Sequence, residues 1–131
     1  SLIEAARAAA FRAYAPFSGF KVGAALITED GVIHAGANVE NTSYSLSMCA
    51  ERVALYSAVS AGAGRLVAMA VVALGEDSHE QDAPPCGACR QALFEFAPEI
   101  MVTYRSSGET VSRRLAELLP DPFGGKEGSG D

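Results

Sequence analysis

Residues Leu66 to Leu74 read Leu-Val-Ala-Met-Ala-Val-Val-Ala-Leu, nine apolar residues with no polar interruption. A strand with one face in water alternates apolar and polar residues, so an unbroken run of this length predicts a central strand buried on both faces. The run is less than half of what a helix needs to cross a bilayer. A strand covered on both sides needs helices above and below its sheet, which makes the order of the flanking segments decisive.

Ser1 to Tyr14 is Ala-rich, with Ile3, Ala6, Ala10 and Ala13 at helical spacing, and predicts an amphipathic helix ended by Ala15-Pro16. Pro16 to Lys21 follows as a loop carrying Phe17 and Phe20. Val22–Thr28 and Val32–Asn38 are strand-like runs joined by Glu29-Asp30-Gly31, a hairpin signal. A helix is expected from Met48 to about Ser60, apolar almost all round and hence buried on several sides. After the apolar run come a polar loop from Gly75 to Ala83, a helix from about Cys86 to Phe96 and a strand from Ile100 to Tyr104. A turn at Ser107-Gly108 and a short helix from Ser112 to Leu119, stopped by Pro120, complete the pattern. Strand–helix–strand passages with short connections imply a mixed sheet between helices, a three-layer α/β/α sandwich. Residues 1–123 are expected to form one domain, with 124–131 a flexible Gly- and charge-rich tail.

Ten Lys+Arg against sixteen Asp+Glu give a formal charge of −6. An acidic chain is poorly suited to neutralising phosphates, which argues against a nucleic-acid partner. Glu4, Arg7 and Arg12 interrupt any secretory layout at the start of the chain, so a soluble, cytoplasmic protein with no membrane partner is expected.

There are three cysteines, an odd number that cannot close a disulfide framework. Cys86 and Cys89 form a C-x-x-C; Cys49 lies 37 positions before Cys86. Taken alone, the pair is also the pattern of a redox dithiol, and Cys49 could be a small buried apolar residue. Both clusters, however, fall at predicted helix N-termini, where free N–H groups lower a thiol's pKa toward the metal-binding thiolate. Three thiolates on Zn²⁺ leave one tetrahedral position open, the pattern of a catalytic site. His34, inside a predicted strand, and His79, in a polar loop, are not assigned as ligands.

Glu51 follows Cys49 by two positions on the most apolar helix, where a carboxylate can exchange protons with whatever occupies the open position. Cys49-Ala50-Glu51 with Pro85-Cys86-x-x-Cys89 is a Cys-for-His version of the H-x-E…P-C-x-x-C signature of zinc deaminases. Asn38 and Glu40, at i and i+2 on a strand exit, project from one face and offer an amide and an acceptor-only carboxylate, a pair suited to a sugar diol. Arg52 and Arg90 each follow a ligand motif and are expected to donate to the sulfurs and drain their charge.

Over nearly its whole length the sequence also resembles the short, homotetrameric cytidine deaminases. The resemblance is carried by Ala13–Phe20, Val22–Leu26, Asn38–Asn41, Ser43-Tyr44, Cys49–Arg52, Pro85–Gln91 and Leu118–Pro120 with Phe123. Phe17, Ala37 and Ser45 depart from the family's usual Tyr, Cys and Gly. The resemblance implies one Zn²⁺ per subunit held by Cys49, Cys86 and Cys89, with Glu51 as proton shuttle. It further implies a nucleoside substrate bound by Asn38 and Glu40 at the ribose, with Phe20 flanking the pyrimidine and Ala50 in contact. Phe123 would reach a neighbouring subunit's site in a homotetramer. The expected reaction is hydrolytic deamination of cytidine and 2′-deoxycytidine in pyrimidine salvage. The alternatives are a related aminopyrimidine nucleoside, a base within nucleic acid, or a zinc-binding module without catalysis.

Overall fold

The computed structural model describes residues 1–124; from residue 125 onward the expected tail lies outside the described residues. The chain order is α1 (Leu2–Ala10), β1 (Lys21–Thr28), β2 (Ile33–Ala37), a 3₁₀ turn (Tyr44–Leu46), α2 (Ala50–Ser60), β3 (Leu66–Leu74) and β4 (Glu80–Gln81). There follow α3 (Gly87–Phe96), β5 (Met101–Ser106), β6 (Glu109–Arg114) and α4 (Leu115–Leu118). The strands form one sheet in the order β2-β1-β3-β5-β6, with the two-residue β4 also pairing with β3. Only β3–β5 is parallel; β1–β2, β1–β3, β3–β4 and β5–β6 are antiparallel.

β3 has the bounds its apolar run predicts, because alternate residues serve different layers. Met69, Val71 and Ala73 join the core with Leu55 of α2 and Leu93 of α3. Ala70, Val72 and Leu74 pack with Ala6 and Ala10 of α1 on the other face. Helices on both faces of a mixed sheet make the expected three layers.

Two glycines set how closely the helices sit. A Cβ on Gly23 of β1 would lie 2.0 Å from Ala6 O and 2.4 Å from Ala10 N, so α1's backbone rests on the strand there. On the opposite face a Cβ on Gly36 of β2 would lie 2.6 Å from Ala54 N of α2. Backbone atoms cannot rotate away as side chains do. Gly23→Ala is therefore expected to cost about 3 kcal/mol or more, the upper end of overpacking penalties. Gly64→Ala, where a Cβ would meet nothing within 4 Å, is the control and should stay within about 0.5 kcal/mol of wild type. Urea midpoints at unchanged m-value test both.

Beyond shifts of one or two residues at element ends, the fold differs from the sequence expectations in four places. α1 stops at Ala10, four residues before Tyr14, because Tyr14 leaves the helix to bond with the strand exit: its N–H donates to Asn38 O (3.0 Å) and its carbonyl accepts from Glu40 N (2.8 Å). Ser112, expected to begin a helix, lies instead within β6, whose Thr103–Ser112 pairing with β5 is completed by a 2.7 Å bond between the two hydroxyls. Asp82 fixes the turn into β6 by accepting from the N–H groups of Ser107 and Gly108, 3.0 Å each. Within the loop expected from Gly75 to Ala83, Glu80–Gln81 forms β4. Finally, α2 buries Ala54, Leu55 and Ala58 but leaves Tyr56 and Val59 exposed, so it is covered on one side only in this chain.

Candidate active site

Cys49 and Cys86 are the N-cap residues of α2 and α3, each in extended conformation just ahead of its helix. The Cys86 sulfur accepts the free N–H of Cys89 at 3.4 Å, using the first turn's unpaired donor. The two helix starts meet. The sulfurs of Cys49 and Cys86 are 3.9 Å apart, those of Cys86 and Cys89 3.4 Å, and all three lie within 4.8 Å of one another. Tetrahedral zinc with Zn–S bonds of about 2.3 Å places its sulfurs about 3.8 Å apart. The donor set fits zinc in atom type and in spacing.

The charges suit the same purpose. The Cys49 thiol is held down to about 5, chiefly by a hydrogen bond from Cys89 and, against its burial, by Arg52. Cys89, fully buried, is pushed the other way, first by that same bond and then by desolvation. Arg52 Nη2 lies 3.5 Å from the Cys49 sulfur, near enough to donate to it. Arg90 does not share that role. Its Nε donates to Pro85 O and its Nη1 to Leu118 O, both at 2.8 Å, so it braces the loop entering α3 against the end of α4. Carbonyls left unpaired where two segments end are closer and better acceptors for a planar guanidinium than a sulfur one turn away.

Glu51 is in the first turn of α2 and only 6% exposed. Burial, then the negative charge at Cys49, pushes its carboxyl up to about 7, against the opposing influence of Arg52. A buried carboxyl poised near neutrality can both take and give a proton at working pH.

Beside these groups is a cavity of about 300 Å³. Cys49, Cys86, Ala50 and Glu51 line it, as do Phe20, Asn38 and Glu40. Cys89 is buried and does not reach the surface of the cavity. The sequence reading missed Val22, Ser47, Met48, Val71, Ala83 and Pro84, which complete the lining. They carry no chemistry that a motif could announce; Pro84 and Met48, each one residue before a ligand motif, were the nearest signals. No Lys, Arg or His among the described residues lines the cavity, and its charged side chains are Glu40 and Glu51.

Asn38 and Glu40 hold the loop that brings Phe20 to the cavity. Asn38 Oδ1 accepts from Val22 N at 2.8 Å, and its Nδ2 donates to Phe20 O at 2.9 Å. Glu40 Oε1 accepts from the N–H groups of Phe17 (2.9 Å) and Ser18 (3.2 Å), and Oε2 accepts from the Ser18 hydroxyl. These donors, the hydroxyl foremost, hold the Glu40 carboxyl below its ordinary range. An ionised carboxylate offers about four lone pairs, so Oε2 retains one; the amide of Asn38 retains one donor and one acceptor. Phe123 lies outside this chain's cavity. The residue is 85% exposed, while the Gln91 side chain holds its N–H and carbonyl at 3.0 and 2.9 Å.

Comparison with known proteins agrees with this geometry. A family model for the cytidine and deoxycytidylate deaminase zinc-binding region matches residues 1–105. The cytidine deaminase of Halalkalibacterium halodurans is 45% identical over 124 residues, 93% of this chain and 91% of that protein. That of Mycobacterium tuberculosis is 44% identical over 117 residues, 88% of this chain and 82% of its own. The crystal structure of cytidine deaminase from Burkholderia pseudomallei is 48% identical, with a TM-score of 0.83 over 93% of this chain and 96% of that one. With three sulfurs at zinc spacing, a buried glutamate beside them and relatives at this level across most of its length, the chain belongs to the cytidine and deoxycytidylate deaminase zinc-binding family.

Proposed function

We propose that this chain, as one domain over residues 1–123, hydrolyses cytidine and 2′-deoxycytidine to the corresponding uridines and ammonia. The observation that carries the reading is the buried Glu51 carboxyl and three converging sulfurs, two of which line, with Glu51, an otherwise largely apolar cavity. Cys49, Cys86 and Cys89 would hold one Zn²⁺, which when bound supplies Lewis acidity that lowers the pKa of water to about 7. Glu51 takes the proton from the water that attacks C4 of the pyrimidine and delivers it to N3. Glu51 then takes the remaining proton from the oxygen now attached to C4 and gives it to the exocyclic nitrogen; the C4 carbonyl forms as the C4–N bond breaks and ammonia leaves. Arg52 offsets charge at Cys49. Ala50 and Phe20 contact the base, while the remaining lone pair of Glu40 and the free amide valences of Asn38 take the ribose hydroxyls. A cavity lined by two carboxylates and, among the described residues, by no Lys, Arg or His side chain favours a free nucleoside over a phosphorylated one.

The same reading places the protein in cytoplasmic pyrimidine salvage, as a homotetramer in which Phe123 reaches a neighbouring site. The exposed rings of Phe17, Tyr44 and Phe123 support such an assembly. Loss of cytidine absorbance with stoichiometric ammonia release tests the activity; no ammonia from the zinc-loaded protein would leave a zinc-binding module. Glu40→Ala is expected to lower kcat/KM for cytidine about tenfold or more, as loss of a charged hydrogen bond does. The loss on free cytosine, which has no sugar, should be smaller, arising only from slackening of the Phe17–Phe20 loop. Equal losses on the two substrates would remove Glu40 from the ribose site.

A further inference from the structure

Ser18 sits on the surface with no part in the metal centre, yet both hydrogen-bonding capacities of its hydroxyl are used. Its Oγ donates to Glu40 Oε2 and accepts from Phe20 N at 3.0 Å, while its own N–H donates to Glu40 Oε1 at 3.2 Å. The direction of these bonds is forced: an ionised carboxylate can only accept and a backbone N–H can only donate, so the hydroxyl proton must point at Glu40. Phe20 is then held from both sides of its backbone, through its N–H by Ser18 and through its carbonyl by Asn38 Nδ2 at 2.9 Å. The Phe20 ring lines the cavity, as do Glu40 and Asn38.

We infer that Ser18 is a positioning residue, whose hydroxyl ties the carboxylate at the sugar end of the cavity to the aromatic ring at its base end so that the two move as one unit. This rests on the deaminase reading for what occupies the cavity, but the linkage itself is a property of this chain. Ser18 touches neither the reacting atoms nor the sulfurs. Its removal should therefore loosen substrate binding while leaving the proton transfers alone. Removing the hydroxyl leaves the Phe20 N–H without its partner and Glu40 with two donors in place of three.

The test compares wild type, Ser18→Ala and Ser18→Thr as zinc-loaded proteins. Ser18→Ala is expected to raise KM for cytidine about tenfold, the loss associated with a hydrogen bond or two in a partly desolvated site. Its kcat should stay within about twofold and its melting temperature within about 2 °C, since the loop is exposed and outside the core. Ser18→Thr keeps the hydroxyl and should restore KM to within about threefold of wild type. Amide hydrogen exchange, read by NMR in the same proteins, should show the Phe20 N–H losing protection in Ser18→Ala and regaining it in Ser18→Thr. An unchanged KM in Ser18→Ala, a fall in kcat alone, or a Thr variant as impaired as the Ala variant would each overturn the role. A wild type that releases no ammonia would overturn the deaminase reading instead, and Phe20 exchange would still decide whether Ser18 holds that residue in place.

Discussion

Glu51→Gln is expected to lower kcat on cytidine by about 10³-fold or more while zinc content stays at one per chain. A general acid–base group typically supplies about 10²–10⁴-fold, and in the proposed reaction Glu51 serves more than one transfer in each turnover, which puts its loss toward the upper end. Gln keeps the volume and shape of the side chain and so keeps the packing of α2's first turn, but an amide neither accepts nor returns a proton. The group that could hold zinc is the three sulfurs and does not include Glu51, so the metal should stay. Stability gives an independent check whose sign can be worked out. Burial raises the Glu51 carboxyl from its ordinary 4.5 to about 7, so folding favours its protonated form, and as pH rises through this window ionisation costs stability. A Gln that never ionises removes that cost. The variant should melt no lower than wild type at pH 7 to 8. A variant retaining more than about a tenth of the wild-type rate would show that another group moves the protons.

Cys86→Ala and Cys89→Ala should each release zinc and lower the melting temperature together. The three sulfurs come from the starts of two different helices, 3.4 and 3.9 Å apart where measured through Cys86, so a metal held there joins α2 to α3. Binding free energy that exists only in the folded state is folding free energy. Losing several kcal/mol corresponds to about 10–20 °C in a chain of this length. Metal analysis by mass spectrometry and a thermal melt measure the two effects. A chelator separates loss of metal from loss of packing: it should bring the wild type down toward the variants and leave the variants where they are. Cys89 is fully buried and Cys86 exposed, so Cys89→Ala should fall a little further, by the cost of a small cavity. Full zinc in both variants would assign the metal to other donors.

Which parts of this protein were readable in advance follows from the range of the forces involved. β3 was legible to the residue because nine consecutive apolar side chains can be satisfied only between two layers. The hairpin was legible from Asp30-Gly31, where Gly31 takes a φ of +90° that few other residues tolerate. The three cysteines and Glu51 were legible as candidates because their residue types and spacing are fixed along the chain, and each falls at a helix start. β6 was not, since five of its six residues are exposed and an edge strand with charged Arg113 and Arg114 leaves no alternation to detect. Nor was the end of α1, which is set by the strand exit at Asn38 and Glu40, more than twenty residues away, competing for the backbone of Tyr14. The same limit explains the arginines. Arg52 and Arg90 stand in equivalent places after their motifs, yet one reaches a sulfur and the other two carbonyls. Sequence alone singled out the residues proposed to carry the chemistry, because residue type and local spacing are properties of the chain itself. Only the tertiary structure decided what each long side chain touches and that Glu40 holds Ser18 and Phe17 as well as facing the cavity, because those partners are brought together by packing between segments distant in the chain.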